Sequence, residues 1–95
     1  MEIKQPTRHL LELCKELGSA YSIRLFDLEH VIYRDFKNGF DVEISGINAS
    51  SPNKRANIFL WDNRQGHKIV EQIPDVPQGN IGDQVNALFH RYGNL

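Results

Sequence analysis

Several features that would identify an activity are missing from this 95-residue sequence or occur in it only once. Its single cysteine, Cys14, cannot form an internal disulfide, and its helical spacing among leucines indicates a small buried side chain. No apolar run approaches the roughly 20 residues that a membrane span requires. No signal peptide is evident behind Met1. We therefore expect a cytoplasmic protein that does not enter a membrane.

Neither sign of charge dominates the sequence. Lysine and arginine number 11 against 12 acidic residues, which leaves a formal net charge of -1. Dedicated nucleic-acid-binding proteins are usually basic overall or carry a basic stripe, so this class is not favoured. The four histidines are isolated, and none has a second ligand at a metal-binding spacing. We predict no metal site and no cofactor.

Residues that could carry out catalysis do not form a known pattern. Ser45, Ser50 and Ser51 lie in no nucleophile elbow, and no glycine-rich phosphate loop is present. Asp41 and Glu43 are two residues apart on one strand, about 7 Å in strand geometry. Paired carboxylates perform acid–base chemistry only in a pocket that shifts one pKa. We predict that the protein is not an enzyme; a concave pocket holding a carboxylate of perturbed pKa would argue otherwise.

Two stretches carry apolar residues at helical spacing. The first predicts a helix over residues about 6–17 that ends at Gly18, and the second a helix over about 80–92. Between them the sequence alternates in polarity over segments bounded by turn residues, which predicts strands. These strands are expected at about 20–26, 31–37, 40–46, 55–61 and 67–73.

The order of these elements predicts the fold. Sequential hairpins favour one meandering antiparallel sheet of four to five strands, with both helices on a single face. We therefore expect an α+β two-layer sandwich in one domain, residues 1–95. Pro74 and Pro77 are expected to end the sheet, because proline cannot donate a ladder hydrogen bond.

The dipeptide Asn38-Gly39 predicts a hairpin with a two-residue type I′ turn. In that register Lys37 pairs with Phe40 and Arg34 pairs with Glu43 as a cross-strand ion pair. Side chains then sort into two faces, since they alternate along a strand. The set expected to meet the helices is Val31, Tyr33, Phe40, Val42 and Ile44. The set expected on the helix-free face is Ile32, Arg34, Phe36, Asp41 and Glu43.

The next hairpin leaves its orientation open. Ala56, Ile58 and Leu60 form one apolar set, while Phe59 and Trp61 belong to the other. If the two aromatics point away from the helices, they extend an apolar patch rimmed by charge, which is typical of an interface. Alternatively, the termini or the loop before this hairpin cover them. The predicted partner-binding surface comprises Ile32, Arg34, Phe36, Asp41, Glu43, Phe59 and Trp61.

Two alternatives to a hetero-partner remain. An open sheet face or edge could mediate a homodimer. Basic residues near the second hairpin could instead contact nucleic acid through Lys54, Arg55, Arg64 and Lys68. The helix–sheet–helix order resembles the double-stranded RNA-binding domain only superficially, because residues 79–84, where that family has a basic cluster, contain no lysine.

The whole-chain layout of helix, antiparallel sheet and closing helix resembles small phage and mobile-element proteins, including some anti-CRISPR inhibitors. The resemblance implies a non-catalytic inhibitor that occupies the nucleic-acid-binding surface of a larger protein. It further implies that Asp35, Asp41 and Glu43 would be the side chains that compete with phosphates. We accordingly expect a small non-catalytic module that binds a protein partner.

Overall fold

The structure is a computed structural model that describes residues 5–95. Along the chain, one α-helix precedes and another follows a five-stranded antiparallel sheet, whose strands are ordered β1-β2-β3-β4-β5. The predicted α+β fold with a meandering sheet is therefore confirmed. The elements are α1 (Arg8–Leu17), β1 (Ser22–Phe26), β2 (Glu29–Asp35), β3 (Phe40–Ser45), β4 (Ala56–Asp62), β5 (Lys68–Val76), a 3₁₀ turn (Gln78–Asn80) and α2 (Ile81–Tyr92).

Both helices pack on the same face of the sheet. The Thr7 hydroxyl begins α1 by accepting a hydrogen bond from the Leu10 amide at 3.1 Å, and Gly18, with a positive φ of 118°, ends it. Each helix contributes its apolar stripe to one core with alternate residues of the central strands. The core side chains from the helices are Leu10, Leu13, Cys14, Ile81, Val85 and Leu88. Neither helix in the described part of the chain has the length and apolarity to cross a membrane.

The β2–β3 hairpin closes through three residues, so the predicted two-residue turn is wrong. Phe36 donates its amide to the Phe40 carbonyl at 3.0 Å, which leaves residues 37–39 as the loop. Lys37 and Gly39 have positive φ values of 63° and 98°, whereas Asn38 does not. A type I′ turn needs positive φ at both central residues. Here Asn38 instead accepts a hydrogen bond from the Phe40 amide at 3.1 Å and donates one to the Tyr92 carbonyl at 2.7 Å.

This additional loop residue reverses the two faces of β2. Arg34 lies opposite Val42, and Tyr33 lies opposite Glu43. Because residues opposite one another share a face, Ile32, Arg34 and Phe36 lie on the helix side and not on the helix-free face as predicted. Val31 and Tyr33, predicted to meet the helices, lie on the helix-free face. The predicted Arg34–Glu43 ion pair is therefore not formed.

The orientation that the sequence left open for β4 is settled by its pairing with β3. Leu60 and Ile58 face Val42 and Ile44 in the core and are fully buried. Phe59 lies opposite Glu43, and Trp61 lies opposite Asp41. Both aromatic side chains consequently point away from the helices.

The last strand extends further than predicted. Lys68–Val76 includes Pro74, which the sequence analysis expected to end the sheet. Because β5 is an edge strand, a proline can keep its missing donor on the unpaired side. A register shift between Ala56 and Ile58 places one extra residue in β5, and Asp75 there takes a positive φ of 59°. This bulge allows Val76 to enter the core.

Candidate functional site: the helix-free face of the sheet

The helix-free face gathers aromatic side chains and carboxylates from four neighbouring strands. Alternation brings Arg24 and Phe26 of β1 to this face, since they pair with Val31 and Glu29. Strands β2, β3 and β4 contribute further residues to the same face. The side chains in question are Arg24, Phe26, Glu29, Val31, Tyr33, Asp41, Glu43, Phe59 and Trp61. They form two adjoining depressions that share Phe26, Glu43 and Trp61.

The first depression, about 200 Å³, contains a cation–aromatic contact made within the chain. The Arg24 guanidinium lies 3.9 Å from the centre of the Tyr33 ring. Val31, the cross-strand partner of Arg24, is almost fully buried. The Tyr33 hydroxyl donates to Asp41 Oδ2 at 2.8 Å. Burial first, and then this hydrogen bond, raise the pKa of Tyr33 to about 12. The other Asp41 oxygen is buried with no hydrogen-bond partner among the described residues.

Glu43 stands between the two depressions and is held by Trp61. The Trp61 Nε1–H donates to Glu43 Oε1 at 3.3 Å, while the Trp61 ring stacks on His67 with ring centres 3.9 Å apart. Burial raises the pKa of Glu43 above its usual range, and the carboxylates of Glu29, Asp27 and Asp41 raise it further, although the indole hydrogen bond opposes them. Trp61 is partly buried, so its indole is neither fully exposed nor enclosed.

The second depression, about 300 Å³, has three aromatic rings and three carboxylates. Its described lining residues are Phe26, Asp27, Glu29, Glu43, Ser45, Phe59 and Trp61. Glu29 is oriented by the Gly46 amide, which donates to its Oε2 at 2.7 Å. Phe26 keeps 43% of its surface exposed despite its size. No basic side chain is present among the described residues that line this depression.

The helix-free face therefore meets one condition that catalysis would require, a carboxylate of raised pKa in a concave site. Ser45 lines the second depression with Glu43, but no histidine is found among its described lining residues. Within residues 5–95, no group of three or more histidine, cysteine, aspartate or glutamate residues is placed to hold a metal ion. The chemistry that this arrangement supplies best is attraction of a positive charge onto aromatic surface.

Three residues of the predicted partner-binding surface lie elsewhere. Ile32 and Phe36 are buried in the core. Arg34 lies between the sheet and α2, with its guanidinium 4.6 Å from the centre of the Phe89 ring and Nη1 3.3 Å from Asn86 Oδ1. The other four predicted residues, Asp41, Glu43, Phe59 and Trp61, do share the helix-free face.

The sequence analysis missed the contribution of β1 and of the start of β2. The predicted strands at about 20–26 and 31–37 left residues 27–30 between them, whereas only Asp27 and Leu28 connect the strands, with φ values of 50° and 67°. Positive φ at both central residues is the pattern of a two-residue type I′ turn, which Asp27 tolerates but which a leucine such as Leu28 rarely adopts. The alternation from Arg24 to Phe26 was a usable signal, but the turn itself had none.

The basic residues proposed for nucleic acid do not form one surface. Lys54 and Arg55 precede β4, whereas Arg64 and Lys68 follow it, and a seven-residue strand spans roughly 23 Å. Arg55 is also paired with Asp75 at 3.6 Å, and Arg64 with Asp62 at 3.0 Å. These carboxylates reduce the positive charge that a phosphate backbone would meet, so the structure gives nucleic-acid binding less support than the sequence did.

Comparison of the chain with known protein families, with curated proteins and with solved structures finds no match.

Proposed function

We propose that this protein is a non-catalytic protein-binding module whose contact surface is the helix-free face of the sheet. The observation that supports the proposal is the pair of adjoining depressions in which Phe26, Phe59 and Trp61 remain partly exposed beside carboxylates. Exposed aromatic residues close to charged groups are typical of binding hot spots. Burial of these aromatic rings within the fold would add to its stability, so their exposure favours a role in binding.

The charge of this face indicates the kind of partner. Asp35 lies beside Asp41 on the same face. With Asp27, Glu29 and Glu43, the described residues give this face five carboxylates and one arginine, Arg24. A basic protein surface would be attracted to it electrostatically. In its most specific form, the proposal follows the phage-inhibitor resemblance: the partner is a larger nucleic-acid-handling protein, and the carboxylates occupy the place of phosphates. Self-association through this face is less well supported, because it would bring like charges together.

The proposal can be tested by comparing two charge reversals of equal size. The binding variant carries Asp41→Lys and Glu43→Lys on the helix-free face, and the control carries Glu12→Lys and Glu16→Lys on the exposed side of α1. Each immobilised protein is exposed to extract of its native cells, and any retained protein is purified and its Kd measured. We expect a basic partner that the wild type and the control bind equally, with Kd at least tenfold higher for the binding variant and rising with salt.

A partner that binds both reversed variants equally well would contradict the proposal, as would a partner that only the control variant loses. Thermal unfolding of each variant verifies that its fold is retained, and Glu43→Lys alone serves if Asp41→Lys disturbs the Tyr33 hydrogen bond. Sedimentation of the free protein at micromolar concentration tests the homodimer directly. A salt-dependent mobility shift with nucleic acid that is lost on reversal of Lys54 and Arg64 would favour the alternative function.

A further inference from the structure

The two depressions on the helix-free face differ in one respect that bears on what they bind. The first holds the chain's own Arg24, whose guanidinium lies on the Tyr33 ring. The second presents three aromatic rings and three carboxylates, and none of its described lining residues is basic. The two sites have similar walls, but only the first contains a cation.

We propose that the second depression binds an arginine side chain of the partner, held between the rings of Phe26, Phe59 and Trp61 and paired with the carboxylates of Glu29 and Glu43. This inference rests on the proposed function, since it identifies the group through which a basic partner would engage the helix-free face. The Arg24–Tyr33 contact is the cation–aromatic part of this interaction, made within the chain.

The size and chemistry of the depression favour a guanidinium over smaller cations. A volume of about 300 Å³ exceeds what a metal ion needs, and the three carboxylates are not placed to hold one. A guanidinium is planar, so it can stack on an aromatic ring while its N–H groups reach two carboxylates. An ammonium group is more strongly hydrated and lacks the planar surface, so lysine would use the site less fully.

Glu43 is the residue on which recognition should depend most. Burial first, and then the negative charges of Glu29, Asp27 and Asp41, raise its pKa, so its charge is poorly compensated before a partner binds. A positive group placed beside it would relieve this repulsion. The Trp61 indole also fixes Oε1 toward the ring, which leaves the carboxylate oriented at the boundary of the two depressions.

The test uses the whole protein and three hexapeptides that differ only at one central position, which holds arginine, citrulline or lysine. Citrulline has the shape of arginine without its charge. Binding is followed by nuclear magnetic resonance through the Trp61 indole N–H and the Gly46 amide, which lie at Glu43 and Glu29. We expect the arginine peptide to shift both signals, with Kd at least tenfold lower than for citrulline and severalfold lower than for lysine.

The variant Glu43→Gln should raise the Kd of the arginine peptide about tenfold. Asp27→Asn, in the exposed β1–β2 turn, should raise it less, and Glu12→Gln on α1 should leave it unchanged. Equal binding of arginine and citrulline, shifts confined to other parts of the protein, or an unaltered Kd in both Glu43→Gln and Asp27→Asn would overturn the inference. Tighter binding of the lysine peptide would also overturn it.

These outcomes can be separated from failure of the proposed function. If charge reversal of Asp41 and Glu43 abolishes partner binding but the arginine peptide does not bind, the binding face stands and the arginine site is wrong. If the peptide binds as expected but no partner depends on the face, the proposed function is wrong and the site remains a property of the molecule.

Discussion

Both faces of this sheet carry large apolar side chains, but they are buried to different extents. On the helix side, apolar residues such as Ile44, Ile58 and Leu60 have no exposed surface. On the opposite side, Phe26, Phe59 and Trp61 remain partly exposed. Strand β4 has apolar residues on both of its faces, but the helices cover only one of them. In a two-layer fold, the position of the helices therefore separates core from contact surface more than the hydrophobicity of the strand residues does.

The largest expected difference between the faces is in stability. Ile58→Ala removes a fully buried side chain and should lower the free energy of unfolding by about 3 kcal/mol, because the packed core cannot close the cavity. Phe59→Ala, one residue along β4, removes a larger but partly exposed side chain and should cost only about 1 kcal/mol, mainly through reduced strand propensity. Urea denaturation of both variants measures the difference. Similar losses would show that Phe59 belongs to a core of its own.

A smaller difference is expected between the two arginines that contact aromatic rings. Arg34 on the helix side lies near the rings of Phe89, Phe36 and Tyr21, whereas Arg24 on the helix-free side lies over one ring of the described residues, Tyr33. Arg34→Ala should therefore cost about 1–2 kcal/mol through lost stem packing and cation–π contacts, and Arg24→Ala about 0.5–1 kcal/mol.

The free energy of unfolding of both variants, measured in low and in high salt, distinguishes lost cation–π contacts from lost packing of the arginine stem. If Arg24→Ala is the more destabilising, or if Arg34→Ala costs nothing, the assignment of Arg34 to the helix side loses its energetic support.

The last effect is confined to high pH and concerns the titration of Tyr33 on the helix-free face. Its folded-state pKa of about 12 lies above the ordinary value of 10.0. The neutral phenol's contribution to stability is therefore complete below about pH 10 and is lost as the pH rises through about 12. Phenolate absorbance should show a late-titrating tyrosine that Tyr33→Phe removes.

The matched change for this titration is Asp41→Asn, which removes one of the two main causes of the shift. It should lower the pKa of Tyr33 part of the way toward its usual value, because burial of the ring remains. An unchanged titration in Asp41→Asn would mean that the Tyr33–Asp41 hydrogen bond does not persist in solution.

The sequence predicted the fold well and the binding face only in part. Helical spacing and alternation identify their elements locally, so both helices and all five strands follow from neighbouring residues. The faces of β3 also follow, since Val42 and Ile44 are apolar and Glu43 is not. The faces of β2 cannot be predicted in this way, because β2 has apolar or aromatic residues on both: Val31 and Tyr33 on one, Ile32 and Phe36 on the other. The hairpin loop sets the register of this strand.

The number and order of the elements follow from the sequence alone, since these depend on local periodicity and turn residues. The side of β2 that meets the helices depends on tertiary contacts, because Asn38 donates a hydrogen bond to the end of α2 and the β2–β3 loop has three residues. The tertiary structure also places Phe26 and Glu29 with Glu43 and Trp61 in one depression. Residues this far apart in the chain become neighbours through strand pairing, and no local pattern encodes that contact.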